Sequence, residues 1–191
     1  MRALILNGAQ NNDITAETVS KLCTDQLKRL NYPVNLINLC SIEISSCLGC
    51  FGCWVKTPGI CVIDDVGRDI AKSVVQSDLV ITITPITFGG YSYELKKALD
   101  RLIPILSPFF MKIAGEIHHK PRYKRYPCYI NLGILSEMNN EMADTFTKLA
   151  TRNAINMQGP ASSSGIVLRS QTSEEINEKV SELLKTVGVS A

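Results

Sequence analysis

Leu79-Val80-Ile81-Thr82-Ile83-Thr84, stopped by Pro85, is the stretch on which the fold turns. It is short, apolar and rich in β-branched residues, which fit a pleated strand better than a helix. A run of this kind, bounded by a breaker, reads as a strand buried on both faces. Working outward, similar runs appear at Ala3–Leu6, ended by Asn7-Gly8, and at Val34–Leu39, entered through Pro33. Two more lie at Cys128–Leu132 and Gly165–Leu168. Between them the apolar period changes to that of a helix. Val19, Leu22, Cys23, Leu27 and Leu30 predict a helix over Thr15–Leu30, and Asp64-Asp65 caps another through Ile70 and Val74. Leu95, Ala98, Leu99 and Leu102 share one helical face, as do Met138, Met142, Phe146 and Leu149. The capping box Thr172-x-x-Glu175 opens a last helix along Ile176, Val180, Leu183, Leu184 and Val187. Five strands alternating with five helices predict a parallel sheet covered on both faces, wound by right-handed crossovers.

The 191 residues fit a single domain. A net charge of +2 gives no electrostatic case for a nucleic-acid partner. No apolar run approaches the roughly 18–20 residues of a membrane span. The four apolar residues before Asn7-Gly8 are too few for a secretory signal, so a cytoplasmic protein is expected. Two segments, 41–63 and 103–126, are longer than a crossover requires, and such loops are usually functional.

Ligands of open parallel sheets bind beyond the carboxyl ends of the strands, where the winding reverses. Three loops are candidates for that edge. Residues 7–15 (Asn-Gly-Ala-Gln-Asn-Asn-Asp-Ile-Thr) offer backbone donors and a helix start for a phosphate, with Asn12 and Thr15 adding side-chain donors. They match neither the Gly-x-Gly-x-x-Gly dinucleotide fingerprint nor a P-loop. Residues 85–92 carry Gly89-Gly90 after Phe88, which allows close backbone approach to a flat ligand. Gly133-Ile134-Leu135-Ser136 forms the third.

Of seven cysteines, Cys47, Cys50, Cys53 and Cys61 fall within fifteen residues. In a reducing compartment such a group points to metal or redox chemistry rather than disulfides. Three readings stand: an iron-sulfur cluster, a zinc ion, or a packed loop of reduced thiols held by Phe51 and Trp54. Cys23, Cys40 and Cys128 read as small buried hydrophobes.

Pro85-x-x-Phe88-Gly89-Gly90-x-Ser92-x-x-Leu95-Lys96-x-x-x-Asp100-Arg101 resembles the second FMN loop and following helix of the NADPH-dependent FMN reductase branch of flavodoxin-like proteins. Cys47-x-Gly49-Cys50-Phe51-x-Cys53-Trp54, with Pro58-Gly59-x-Cys61 and Asp64-Asp65, resembles the cysteine segment of its iron-sulfur flavoprotein relatives. The likeness spans roughly residues 3–170. It implies a flavodoxin-like, doubly wound five-stranded sheet of order 2-1-3-4-5. It also implies FMN, with Gly8, Ala9, Gln10, Asn12 and Thr15 at the phosphate. Pro85, Ile86, Thr87, Phe88, Gly89, Gly133, Ile134 and Leu135 would then lie around the ring. NAD(P)H is the implied co-substrate, and a quinone, another small oxidant or a redox protein the implied acceptor. The four cysteines are the implied ligands of a 4Fe-4S cluster, and a homodimer or tetramer is implied as well. The chain departs from the family's Gly-Ser-Pro-Arg loop at Ala9, Gln10 and Asn11, and at Ile14, losing a hydroxyl and a cation. Charge-assisted hydrogen bonds are the strong ones, so weaker phosphate binding follows. Thr87 replaces a frequent Tyr beside the flavin. The alternative functions are an iron-sulfur flavoprotein that relays electrons through its flavin with no dedicated small substrate, its cluster at the 47–61 cysteines, and a degenerate, non-catalytic binding protein on the same fold.

The basic stretch His118-His119-Lys120-Pro121-Arg122-Tyr123-Lys124-Arg125-Tyr126 reads as an exposed arm before the fourth strand. Its uses would be an oligomer contact or a grip on the NADPH phosphates by Arg122, Lys124 or Arg125. The two histidines should face opposite sides of an extended chain.

Overall fold

The computed structural model describes residues 1–113 and 115–189. Five strands, β1 (Ala3–Asn7), β2 (Val34–Asn38), β3 (Leu79–Pro85), β6 (Cys128–Leu135) and β7 (Ser162–Leu168), form one parallel sheet of order β2-β1-β3-β6-β7. This is the doubly wound sheet expected from the alternation of runs and periods. The central strands β1 and β3 are buried almost throughout, which is why they read as unbroken apolar runs. Helices α1 (Ile14–Arg29) and α6 (Ser173–Thr186) pack on one face through Val19, Cys23, Leu27, Ile176, Val180 and Leu184. Helices α3 (Val66–Gln76), α4 (Tyr93–Asp100) and α5 (Asn140–Asn156) cover the other through Ile70, Val74, Leu95, Ala98, Phe146 and Ala154. The winding reverses between β1 and β3, so a crevice opens where their carboxyl ends diverge.

Three expectations are corrected. The fourth predicted strand does not end at Leu132, for β6 runs on through Leu135. Gly133 does not break it: a Cβ there would lie 2.6 Å from Ile86 Cδ1, so glycine is the residue that lets Ile86 pack onto the strand. The 103–126 segment is not a plain arm. A 3-10 turn (Ile103–Ile105) leads into an antiparallel hairpin of β4 (Leu106–Ile113) and β5 (Glu116–Pro121). The cysteine segment also holds a four-residue helix, α2 (Gly52–Val55). Of the three scattered cysteines, Cys23 alone is fully buried; Cys40 and Cys128 are half-buried.

The hairpin keeps its histidines on opposite faces. His118 is buried and hydrogen-bonds Asn156 and Glu116, whereas His119 meets the Ser107 carbonyl and lies between Trp54 and Phe110. Arg122 donates to the Pro104 and Leu106 carbonyls, and Arg125 pairs with Asp78. Both guanidinium groups are therefore already engaged. Among the described residues, no helix is long and apolar enough to cross a membrane.

Candidate functional site

The first loop leaves β1 at Asn7, whose side chain accepts from Ala9 N, and turns through Asn12 at a φ of +71°. Asp13 then caps α1, its carboxylate accepting from Ala16 N. The same carboxylate takes a two-pronged ion pair from Arg169 at 2.8 and 2.7 Å. That hydrogen bonding holds the Asp13 carboxyl below its ordinary range against the opposing effect of burial. Gly8 and Ala9 are buried backbone, Thr15 is half-buried, and Gln10 and Asn12 are exposed. Asn11 accepts from Cys40 Sγ and Ser41 Oγ, which ties this loop to the start of the cysteine segment.

The second loop is a tight turn in which Thr87 and Gly90 exchange backbone hydrogen bonds of 3.0 and 2.8 Å. Phe88 and Gly89 both take positive φ, at 49° and 77°. For a bulky residue such as Phe88 this conformation is strained, and strain of this kind collects at ligand sites. The turn places the Phe88 ring almost wholly in solvent, 92% exposed. Ser92 locks this loop to the first, for its Oγ donates to the Gly8 carbonyl at 2.6 Å while accepting from Leu95 N. A Cβ on Gly8 would lie 2.6 Å from Leu95 Cβ and 2.7 Å from Ser92 Oγ. Gly8→Ala is therefore expected to cost about 1–3 kcal/mol, measured as a lower urea midpoint.

The third edge is supplied by β6. Ile86 N donates to the Ile134 carbonyl, and Arg169 N to the Leu135 carbonyl. A cavity of about 270 Å³ lies here, lined by Pro85, Ile86, Ile134, Leu135, Met142 and Arg169 among others. Four residues expected at the ring thus share one cavity. Gly133 is packed beneath Ile86 rather than lining it, and Thr87 and Phe88 stand on the exposed turn alongside. Sequence reasoning missed Asp13 and Arg169. One signal was available: Arg169 is the first residue after β7, and so sits at the edge where ligands bind.

The cysteine segment forms a second site. Cys47, Cys50, Cys53 and Cys61 all line a cavity of about 340 Å³, closed by Ile63, Asp100 and Ile103. Positive φ at Gly49 and Phe51 bends the chain between the first three thiols. Burial pushes the Cys53 thiol up, and the neighbouring Cys61, Cys47 and Cys50 push it further. Among the described residues no three His, Cys, Asp or Glu side chains converge closely enough for one metal ion. The four thiols share the lining of one space.

Two anchors hold this segment. Trp54 Nε1 donates to the Ile103 and Leu106 carbonyls, with its ring stacked on Phe51. Arg101, 1% exposed, forks onto both Asp65 oxygens at 2.7 and 2.8 Å and also donates to the Ser45 and Ile63 carbonyls. Its Nε has no acceptor of its own, while the Cys61 thiol lies near enough to favour the guanidinium charge. The strand-end and cysteine cavities share no lining residue. Ser92 caps one end of α4 and Arg101 the other, nine residue steps or about 13.5 Å apart along the helix.

A model of the family described as NADPH-dependent FMN reductase matches residues 1–121. Over 120 residues the chain is 28% identical to an iron-sulfur flavoprotein of Methanocaldococcus jannaschii, covering 61% of each. Over 104 residues it is 26% identical to an iron-sulfur flavoprotein of Archaeoglobus fulgidus, covering 54% of this chain and 46% of the relative. The chain thus spans between about half and three-fifths of these relatives. An NAD(P)H:quinone oxidoreductase from Methanothermobacter marburgensis superposes with a TM-score of 0.71 at 10% identity, over 98% of this chain and 94% of the other. An FMN-dependent NADH-azoreductase of Bacillus anthracis, solved with FMN, gives 0.61 at 14% identity over 98% of both. These two likenesses establish the fold.

Proposed function

The chain belongs to the NADPH-dependent FMN reductase family, and from that premise we propose that it is an FMN-dependent NAD(P)H oxidoreductase passing electrons to a quinone, another small oxidant or a redox protein. The observation that carries this reading is the meeting of three strand-end loops at the switch point. Ser92 joins the first loop to the second, and Ile86 joins the second to β6. The cavity between Pro85-Ile86 and Ile134-Leu135, of mixed polar and apolar lining, suits the ring, and the start of α1 with Arg169 suits the phosphate. Bound there, FMN would supply hydride acceptance and stepwise electron release, chemistry that belongs to the cofactor. The residues of this chain would hold it, with Ile86 and Ile134 excluding water from the ring. Arg169 would lend the cation that Gln10 and Asn11 do not. Lys124, without an engagement like those of Arg122 and Arg125 among the described residues, is the remaining basic candidate for the co-substrate's phosphate. Purified protein mixed with FMN is expected to bind it near one per chain and to oxidise NADPH with a soluble quinone present. Absence of both binding and turnover would leave only the non-catalytic alternative.

The shared cavity of the four thiols favours a second component, a 4Fe-4S cluster held by Cys47, Cys50, Cys53 and Cys61. Changing all four to Ser is expected to remove bound iron and sulfide while leaving FMN stoichiometry unchanged. Loss of flavin as well would make the loop a structural element of the flavin site. Seven unpaired cysteines support a cytoplasmic location. A homodimer or tetramer is supported by the hairpin, where Phe109, Phe110 and Ile117 are 67%, 60% and 74% exposed.

A further inference from the structure

Arg101 carries more hydrogen-bonding capacity than its anchoring role uses. A guanidinium has five N–H donors. Four are engaged in this structure, two on Asp65 and one each on the Ser45 and Ile63 carbonyls. The fifth, on Nε, is buried and meets no acceptor. The side chain is 1% exposed, so bulk solvent does not reach it either. A buried donor left over in this way is costly, and such a group calls for a reason, of which a bound group or a redox role is one.

The fold makes room for this guanidinium beside the thiols. A Cβ on Gly67 would lie 2.9 Å from Arg101 Cζ, so a larger residue at the start of α3 would push the group away. Asp100 and Ile103, on either side of Arg101 in the chain, line the four-thiol space together with Cys61 and Ile63. The Ile63 carbonyl that Arg101 binds is two residues beyond Cys61, whose thiol lies close enough to favour the guanidinium charge. Arg68 Nε donates to the Cys61 carbonyl at 2.8 Å, which fixes the backbone of this half-buried cysteine. A neutral thiol is a weak acceptor. A thiolate sulfur bound to iron accepts well, and hydrogen bonds to such sulfurs set cluster potentials.

We propose that Arg101 is a positioning residue for the cluster, its guanidinium donating a hydrogen bond to the Cys61 sulfur and so raising the potential at which the cluster accepts an electron. The inference rests on the cluster reading given above. A cluster held by four thiolates is anionic and gains further negative charge on reduction, so a fixed cation and donor stabilise the reduced form more. One electron moves and no covalent bond forms or breaks. Arg101 keeps all its protons throughout.

The test is a mediated redox titration of the FMN-saturated full chain, its cluster rebuilt from iron and sulfide, with dithionite as the electron source. The low-temperature electron-paramagnetic-resonance signal of the reduced cluster gives the midpoint. Arg101→Met should lower the reduced-to-oxidised ratio at a fixed potential about tenfold, which is about 59 mV for a one-electron couple. Asp65→Asn leaves the donor in place and removes the opposing charge, so its midpoint should rise. A purely structural role predicts one direction for both variants, since each loosens the same anchor and lets water in. Should Arg101→Met fail to fold, the double variant Asp65→Asn/Arg101→Met, compared with Asp65→Asn, should show the same tenfold fall. A midpoint unmoved or raised by loss of Arg101, or shifts of one sign in both single variants, would overturn the assignment. Iron and sulfide analysis separates the two readings. An unaltered chain that holds no cluster overturns both, and a loaded cluster with an unmoved midpoint overturns the role of Arg101 alone.

Discussion

Arg101→Met is expected to destabilise the folded chain by about 3–5 kcal/mol, the loss that follows when one member of a buried ion pair is removed. Arg101 is buried at the end of α4, and its fork onto Asp65 joins that helix to the cysteine segment and to the start of α3. Without it the Asp65 carboxylate keeps only its bonds from Gly67 N and Ser45 N. Urea unfolding by far-ultraviolet circular dichroism measures the loss. The double variant Asp65→Asn/Arg101→Met should lie nearer the unaltered chain than Arg101→Met alone, because no unpaired charge remains. An equal or greater loss in the double variant would make packing, not charge, the source of the effect.

The same pair sets an acid limit. Hydrogen bonding from Arg101 holds the Asp65 carboxyl at about 2, against an ordinary 3.8. A folded-state pKa below the unfolded one gives stability that is complete above about pH 4 and lost as pH falls through about 2. The expected loss across that window is on the order of 2 kcal/mol. Arg101→Met should remove most of this dependence, which a urea series at stepped pH would show.

Arg169→Ala is expected to weaken FMN binding about 10- to 100-fold, since a hydrogen bond to a charged group contributes roughly 1.5–3 kcal/mol. The effect follows from the proposed placement of the phosphate at the start of α1. There Asp13 already fills the place an anion would take, bonded both to the helix and to Arg169. Asp13→Asn should therefore act in the opposite direction. Asn caps a helix as well as Asp does, while the change removes a like charge and frees the guanidinium. Fluorescence titration of FMN against the three proteins reads both effects. Weaker binding in Asp13→Asn would place the phosphate elsewhere.

How much of this was legible follows from where the information sits in the chain. The sheet was readable because β1 and β3 are buried on both faces and so carry unbroken apolar runs. The capping box at Thr172 and the cap at Asp65 were readable because their partners lie within three residues. The hairpin was not, since β4 exposes Phe109, Phe110 and Met111 in succession and offers no alternation to detect. Helix α2 is one turn long, too short to show a period. Gly133 signalled a strand end but marks a packing contact instead. Arg169 reaches Asp13 across 156 residues, and nothing local announces such a pair. The four cysteines announced themselves by spacing; Arg101 stood out only as the end of the 85–101 motif, and its reach back to Asp65, 36 positions earlier, did not show.

The anchors of the cysteine segment have a consequence in time as well as in space. Trp54 must wait for residues 49 and 52 positions later, and Asp65 for one 36 positions later. Closing spans of that length carries an entropic cost that only the finished β3–α4 unit can offset. During synthesis Cys47, Cys50, Cys53 and Cys61 all emerge before their clamp exists. The segment is thus tethered late, and its thiols stand open to the surrounding solution for as long as Arg101 is still unmade.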